Sequence, residues 1–266
     1  MDLLRKEFAP VSQASWNEIN TVVRETLSSN LAARRFCDVL GPHGISFASV
    51  PEGRLDIPAG QKKDDVRYGV HQVLPVVESR VSFSVSIWEL DNIDRGAKDV
   101  DLDSAILAAK KIAAFEDGAV FTGFKAGGIT GLNTIAGTDR IEVSLDKDSI
   151  IDGISEALLR LKKEGIDGPT NLVVNPALWK FLARVVPGGS LASIVRKQIG
   201  GQIVYSETVS GAFLVADRTG DFEITLGQDF AIGYHGHDTE NVELFITESF
   251  TFRAITPEAI IAFNVV

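Results

Sequence analysis

Apolar residues recur along this chain with two periods, and each change of period marks an element. Trp16, Ile19, Val22, Val23, Leu27 and Leu31 repeat every three to four positions, which predicts a helix with one apolar face. Ser15 with Glu18 forms a capping-box pattern, and Ser12 is a competing N-cap. The next strong stop is Gly41-Pro42, which places Arg34, Arg35 and Asp38 near the end of this helix. From Val77 to Trp88 the period falls to two. Val77, Val81, Phe83, Val85 and Ile87 face one way and Glu78, Arg80, Ser82, Ser84 and Ser86 the other, the mark of a half-buried strand. Asp101 or Asp103 then caps a helix through Ile106, Ala109, Ile112, Ala113 and Val120 that stops at Gly123. Its many alanines suit close packing along a sheet.

Beyond Gly127-Gly128-Ile129-Thr130-Gly131 the texture becomes α/β. Ile150, Ile151, Ile154, Leu158 and Leu161 predict a helix ended by Gly165, and a buried strand follows from Thr170 to Val174. Asn175-Pro176 opens another helix with proline at its first position. Pro187-Gly188-Gly189-Ser190 leads into a helix from Leu191 to Ile199, then strands at Gln202 to Val209 and Ala212 to Ala216. Boundaries near residues 135 and 220 make this unit an insertion within one β-rich domain. In the last third, Leu226 to Tyr234 and Val242 to Phe252 predict two long strands joined by a turn at His235 to Asn241. One stretch fits no element: Pro51 to Gly69 is polar, charged and too long for a usual connection, as a functional arm would be.

Composition narrows the class. The chain has 266 residues, 45% hydrophobic and 23% charged, within the range of soluble globular proteins. No apolar run approaches the roughly 18 residues of a membrane span, and the start lacks the pattern of a secretory signal. The net charge is −10 and no basic stripe stands out, which disfavours nucleic acid as a partner. A single cysteine, Cys37, forms no internal disulfide and suits a reducing cytosol.

Candidate chemistry is thin. His235-Gly236-His237-Asp238 has the residue types of a zinc site, but it sits where the hairpin must turn. Gly127-Gly128-x-x-Gly131 lacks the Lys-Ser/Thr of a phosphate loop, so a tight turn is expected. Cys37 has no histidine near it in sequence and is read as a buried thiol. Trp88 is read as packing at a strand end, and Glu89, Asp91 and Asp94 as a solvated face. No catalytic residue, metal site or cofactor is assigned.

Several strings spread over the whole length carry a resemblance. They are Phe8-Ala9-Pro10, Arg34-Arg35-Phe36 with Asp38, Trp88-Glu89-Leu90-Asp91-Asn92 with Arg95-Gly96, and Phe115-Glu116-Asp117. Asp167-Gly168-Pro169, Leu226-Gly227-Gln228-Asp229 with Ile232-Gly233-Tyr234, and Glu248-Ser249-Phe250-Thr251-Phe252 complete the set. In this order they resemble the encapsulins, or linocin-type proteins, which are shell proteins with the tailed-phage major-capsid fold.

The resemblance implies an α+β fold with a peripheral domain, an extended loop and an axial domain. Its divisions would be residues 1–50 for the first helix and the start of the peripheral domain, and 51–75 for the extended loop. The peripheral domain with its spine helix (Asp103 to Phe121) would be 76–134, the axial domain 135–220, and the return to the peripheral domain 221–266. It also implies a non-enzymatic subunit of a cytoplasmic icosahedral compartment, most compactly of sixty copies. Its cargo would be a peroxidase or ferritin-like enzyme, serving oxidative stress defence or iron storage, held through a short C-terminal targeting peptide. The implied docking residues are Leu31, Arg34, Asp38, Phe230 and Ile232, on the inner surface where the first helix meets the C-terminal strands. The implied pore loop is Arg184, Pro187, Gly188, Gly189, Ser190 and Leu191, although the family's usual Tyr-Pro pair is absent there. Rival readings are a secreted bacteriocin or peptidase, for which no triad or metal motif is present, and a phage capsid subunit.

Overall fold

Ser12, not Ser15, starts the first helix. The computed structural model describes residues 3–186 and 189–266, and in it the Ser12 hydroxyl accepts the Ser15 N–H ahead of α1 (Gln13–Asn30). The helix ends well before Gly41-Pro42. The Asp117 carboxylate accepts the N–H groups of Ala32 and Ala33 at 3.0 and 2.9 Å, and the chain tightens into a 3-10 turn at Ala33–Arg35. Arg34 and Asp38 therefore lie beyond the helix, Asp38 at the start of β1 (Asp38–Leu40). The stop signal is tertiary, from a buried acid on another helix.

The long polar stretch links β2 (Ser49–Asp56), which it overlaps, to β3 (Val70–Pro75), and these strands pair only with each other among the described residues. β4 (Val77–Ser86) alternates as its sequence requires, with Phe83 and Val85 buried. The strand ends earlier than expected: Ser86 accepts the Trp88 N–H and caps α2 (Ile87–Asp94), leaving Trp88 72% exposed on a helix rather than packed at a strand end. α3 (Asp103–Phe121) is the longest helix, and Asp101 accepts the Asp103 N–H just ahead of it. The chain then folds back tightly. Gly123 has φ +96°, and a Cβ on Gly131 would lie 2.2 Å from the Gly123 nitrogen, so only glycine fits this crossing.

The inserted unit runs α4 (Leu132–Ile135), β5 (Ile141–Val143), α5 (Lys147–Lys163), β6 (Thr170–Val174), α6 (Pro176–Leu182) and the two-residue strands β7 (Val185–Val186) and β8 (Gly189–Ser190). α7 (Leu191–Ile199), β9 (Gly200–Tyr205) and β10 (Ala212–Ala216) complete it. The chain ends with β11 (Phe222–Leu226), β12 (Ala231–His237), β13 (Asn241–Ala254) and β14 (Ile260–Val265). Two five-stranded sheets result. In the first, β13 pairs antiparallel with β4 on one side and with β12 and β11 on the other, and β1 adds parallel to β11. In the second the order is β5-β14-β10-β6-β9.

Two expectations for the last third change. Its first arm is broken into β11 and β12 at Gly227–Phe230, and β12 runs through His235 and His237. The turn lies after them, where Asp238 accepts the N–H groups of Glu240 and Asn241. The segment 221–266 also does not return as a whole to the first sheet, because β14 inserts between β10 and β5 of the second.

α1 and α3 cover the first sheet, burying Trp16, Ile19 and Val23 with Ala109, Ile112, Leu244 and Ile246. α5 and α7 cover the second, with Ile154, Leu161, Leu191 and Val195 buried against Leu172 and Leu214. A third cluster fuses the two layers: Phe36 and Phe222 from the first unit pack with Phe121 and Phe213, whose rings stack at 6.1 Å and 3°. Aromatic pairs at this spacing add to simple area burial.

Candidate docking groove and its ion network

The period that made α1 amphipathic also builds a groove. Val23, Leu27 and Leu31 follow at four-residue intervals on one face, and beneath their ends lie Ile232 of β12 and Ile246 of β13. These residues, with Phe230 on the rim, enclose a cavity of about 560 Å³. Lys6 and Arg24 stand at its border, and neither has a carboxylate within ion-pair distance among the described residues. The Lys6 ammonium instead lies 5.2 Å from the centre of the Trp16 ring.

Arg34 closes one end of the groove. Its Nε donates to both Glu116 oxygens at 3.0 and 2.9 Å, Nη2 donates to Glu116 and Glu248 at 2.6 and 2.5 Å, and Nη1 donates to Asp229 at 2.9 Å. The guanidinium also lies 4.7 Å above the Phe230 ring. Glu116 and Glu248 are fully buried, whereas Asp229 is 46% exposed. Burial works against the Arg34 charge, but the Glu116 hydrogen bond and the three carboxylates outweigh it and hold the guanidinium firmly charged. Burial, then repulsion from Glu116, pushes Glu248 well above the usual carboxylate range, against the pull of Arg34. One of its oxygens, Oε2, is buried without a hydrogen-bond partner. Next door, burial raises Asp117 to about 7 although the Ala33 and Ala32 N–H groups oppose it.

Of the sequence-derived docking residues, Leu31, Arg34, Phe230 and Ile232 meet here. Asp38 does not: its carboxylate accepts the Gly220 N–H at 2.8 Å, away from the groove. At the expected pore loop, Arg184 stacks on Phe181 at 4.4 Å, Gly189 takes φ +125° and Ser190 caps α7. Leu191 is a core residue with no exposed surface, so it does not line an opening; Pro187 and Gly188 lie outside the described residues. Cys37 is fully buried, and burial followed by the nearby acids Glu116, Asp117 and Asp38 pushes its thiol up, against Arg218. The residues missed in sequence are Val23, Leu27, Ile246, Lys6 and Arg24. Only the first two carried a signal, since they continue the helical stripe that ends in Leu31.

Comparison with solved structures defines the class first. The virus-like particle from Pyrococcus furiosus matches with a TM-score of 0.66 at 16% identity, covering 94% of this chain and 99% of that one. The capsid of Myoviridae phage XM1 matches at 0.55 and 12%, covering 89% and 92%. The fold is that of tailed-phage capsid proteins. Sequence comparison is narrower. A family described as "Encapsulating protein for peroxidase" matches residues 1–251. A type 1 encapsulin shell protein of Rhodospirillum rubrum is 40% identical over 97% of this chain and 95% of its own length. One from Mycobacterium tuberculosis is 34% identical over 99% and 100%. The chain belongs to the encapsulin (linocin-type) family of shell proteins.

Proposed function

We propose that the chain is a non-enzymatic subunit that closes with its own copies into an icosahedral shell of sixty, enclosing a peroxidase or ferritin-like cargo enzyme. The observation that supports closure is the β2–β3 hairpin. It exposes Leu55, Ile57, Val66, Tyr68 and Val70, and it has no strand neighbour within the described chain. A two-stranded hairpin in water is marginal on its own, so a second copy supplies the missing surface.

Cargo enters this reading through the groove. It is apolar at its base, has the volume of a peptide pocket and lies beside the partly open outer edge of β12, which suits a short C-terminal targeting segment. The test is a shell purified from its own host, with retained proteins identified by mass spectrometry. Ser28 borders the groove and is exposed, so Ser28→Trp fills the cavity without entering the core. Intact shells without cargo are expected; full loading of that variant contradicts the docking site.

A further inference from the structure

The outer edge of β12 is partly used. Tyr234 donates its N–H to the Leu4 carbonyl at 2.8 Å, away from the strand's partner β13. Tyr234 faces Leu244 and Ile232 faces Ile246 across an antiparallel ladder, with the bulge falling only after Tyr234. In such a ladder every second residue turns its N–H and C=O outward. Ile232 therefore points both groups off the same edge as Tyr234, and no described residue bonds to them. Ile232 is also a wall of the groove, and Lys6 and Arg24 stand at its border without acids.

Resting on the docking reading above, we infer that the groove takes its partner as an added β-strand with an acidic side chain. An extended segment pairs with the N–H and C=O of Ile232, continuing the line begun by Leu4. Its alternate side chains fall on Val23, Leu27 and Leu31, as the twofold strand period requires. The intervening carboxylate faces Lys6 and Arg24. Arg34 is not the anchor, because Glu116, Glu248 and Asp229 already take its donors.

The probe is a fluorescent protein carrying a ten-residue C-terminal tail of alternating leucine and serine, with one central serine replaced by glutamate or by lysine. Each is co-expressed with the shell and retention is measured after size exclusion. The glutamate tail is expected to be retained about fivefold better than the lysine tail, the scale of one ion-pair reversal. The preference inverts in Lys6→Glu with Arg24→Glu. In hydrogen exchange, loading slows the Ile232 amide while Ala231 and Gly233, already bonded to β13, stay unchanged. Equal retention of both tails, retention of neither, or an unchanged Ile232 amide overturns the proposal. The Ser28→Trp shell separates the two levels. If it rejects tails that the native shell takes regardless of charge, the groove stands and the acidic strand fails; if it loads them equally, the groove reading fails as well.

Discussion

Replacing Arg34 with methionine removes the one cation between two fully buried glutamates while keeping the side-chain volume. Five hydrogen bonds to three acids are lost. Breaking a buried ion pair by deleting one partner costs about 3–5 kcal/mol. The lower end applies, because Glu248 is already held toward its neutral form. For a chain of this size about 1 kcal/mol moves the melting temperature by roughly 2–4 °C, so the variant should melt about 6–12 °C lower at pH 7. Without Arg34, Glu248 loses the attraction that opposed its rise, so its folded pKa lies further above its unfolded one. The folded state then binds protons that the unfolded state does not, and the deficit shrinks as pH falls from 7 toward 5. Adding Glu116→Gln and Glu248→Gln should recover at least half of the loss, since neither buried glutamate is then left without its cation. Calorimetry at one scan rate and two pH values makes the measurement. A melting temperature within 2 °C of the parent (roughly the effect of 1 kcal/mol or less), or a deficit that grows on acidification, refutes the network's role.

Asp117 should give the opposite of an ordinary salt-bridged acid. Its rise from 3.8 to about 7, at about 1.4 kcal/mol per unit, means stability falls by roughly 4 kcal/mol as pH climbs through that window. Asp117→Asn should flatten the dependence in urea midpoints at pH 5 and pH 8, and an unchanged slope contradicts the assignment. Gly233 lies opposite Phe245, and a Cβ there would meet the ring at 2.2 Å; Gly233→Ala should cost about 1–3 kcal/mol by overpacking. Phe245→Leu in the same chain should restore part of it, and additive losses in melts would count against the contact. Deleting Gly53 to Arg67 should leave folded subunits that fail to close, seen as small species in size exclusion; intact particles would argue that the hairpin is dispensable.

Elements set by local signals were readable in the chain. α3, β6, α7 and β10 fall where periodicity and turn residues placed them, and the alternation of β4 sorts its buried from its exposed side chains. Elements set by distant partners were not. α1 ends because Asp117 takes the Ala33 N–H from 84 residues away, and nothing near Asn30 announces it. β14 joins the second sheet through Phe213 and Ile141, neither adjacent in sequence. At the groove, Leu31, Phe230 and Ile232 came from the family resemblance, and Leu31 alone of the three also sat on a readable helical stripe. Arg34 was found, but its partners lie 82 and 214 residues away. Glu116 and Glu248 each stood in a recognisable string, yet a single sequence carries no signal that pairs them. Asp38, implied by the resemblance, lies outside the groove because the chain leaves the 3-10 turn at Ala33–Arg35 into β1, where Asp38 accepts the Gly220 N–H.

The central claim is that this chain closes into a hollow shell. Native mass measurement with electron microscopy of the purified protein at micromolar concentration tests it most directly. At 28.7 kDa per subunit, the account predicts one closed particle whose mass corresponds to sixty copies plus retained cargo. A stable monomer or dimer, or open sheets without closure, would contradict it.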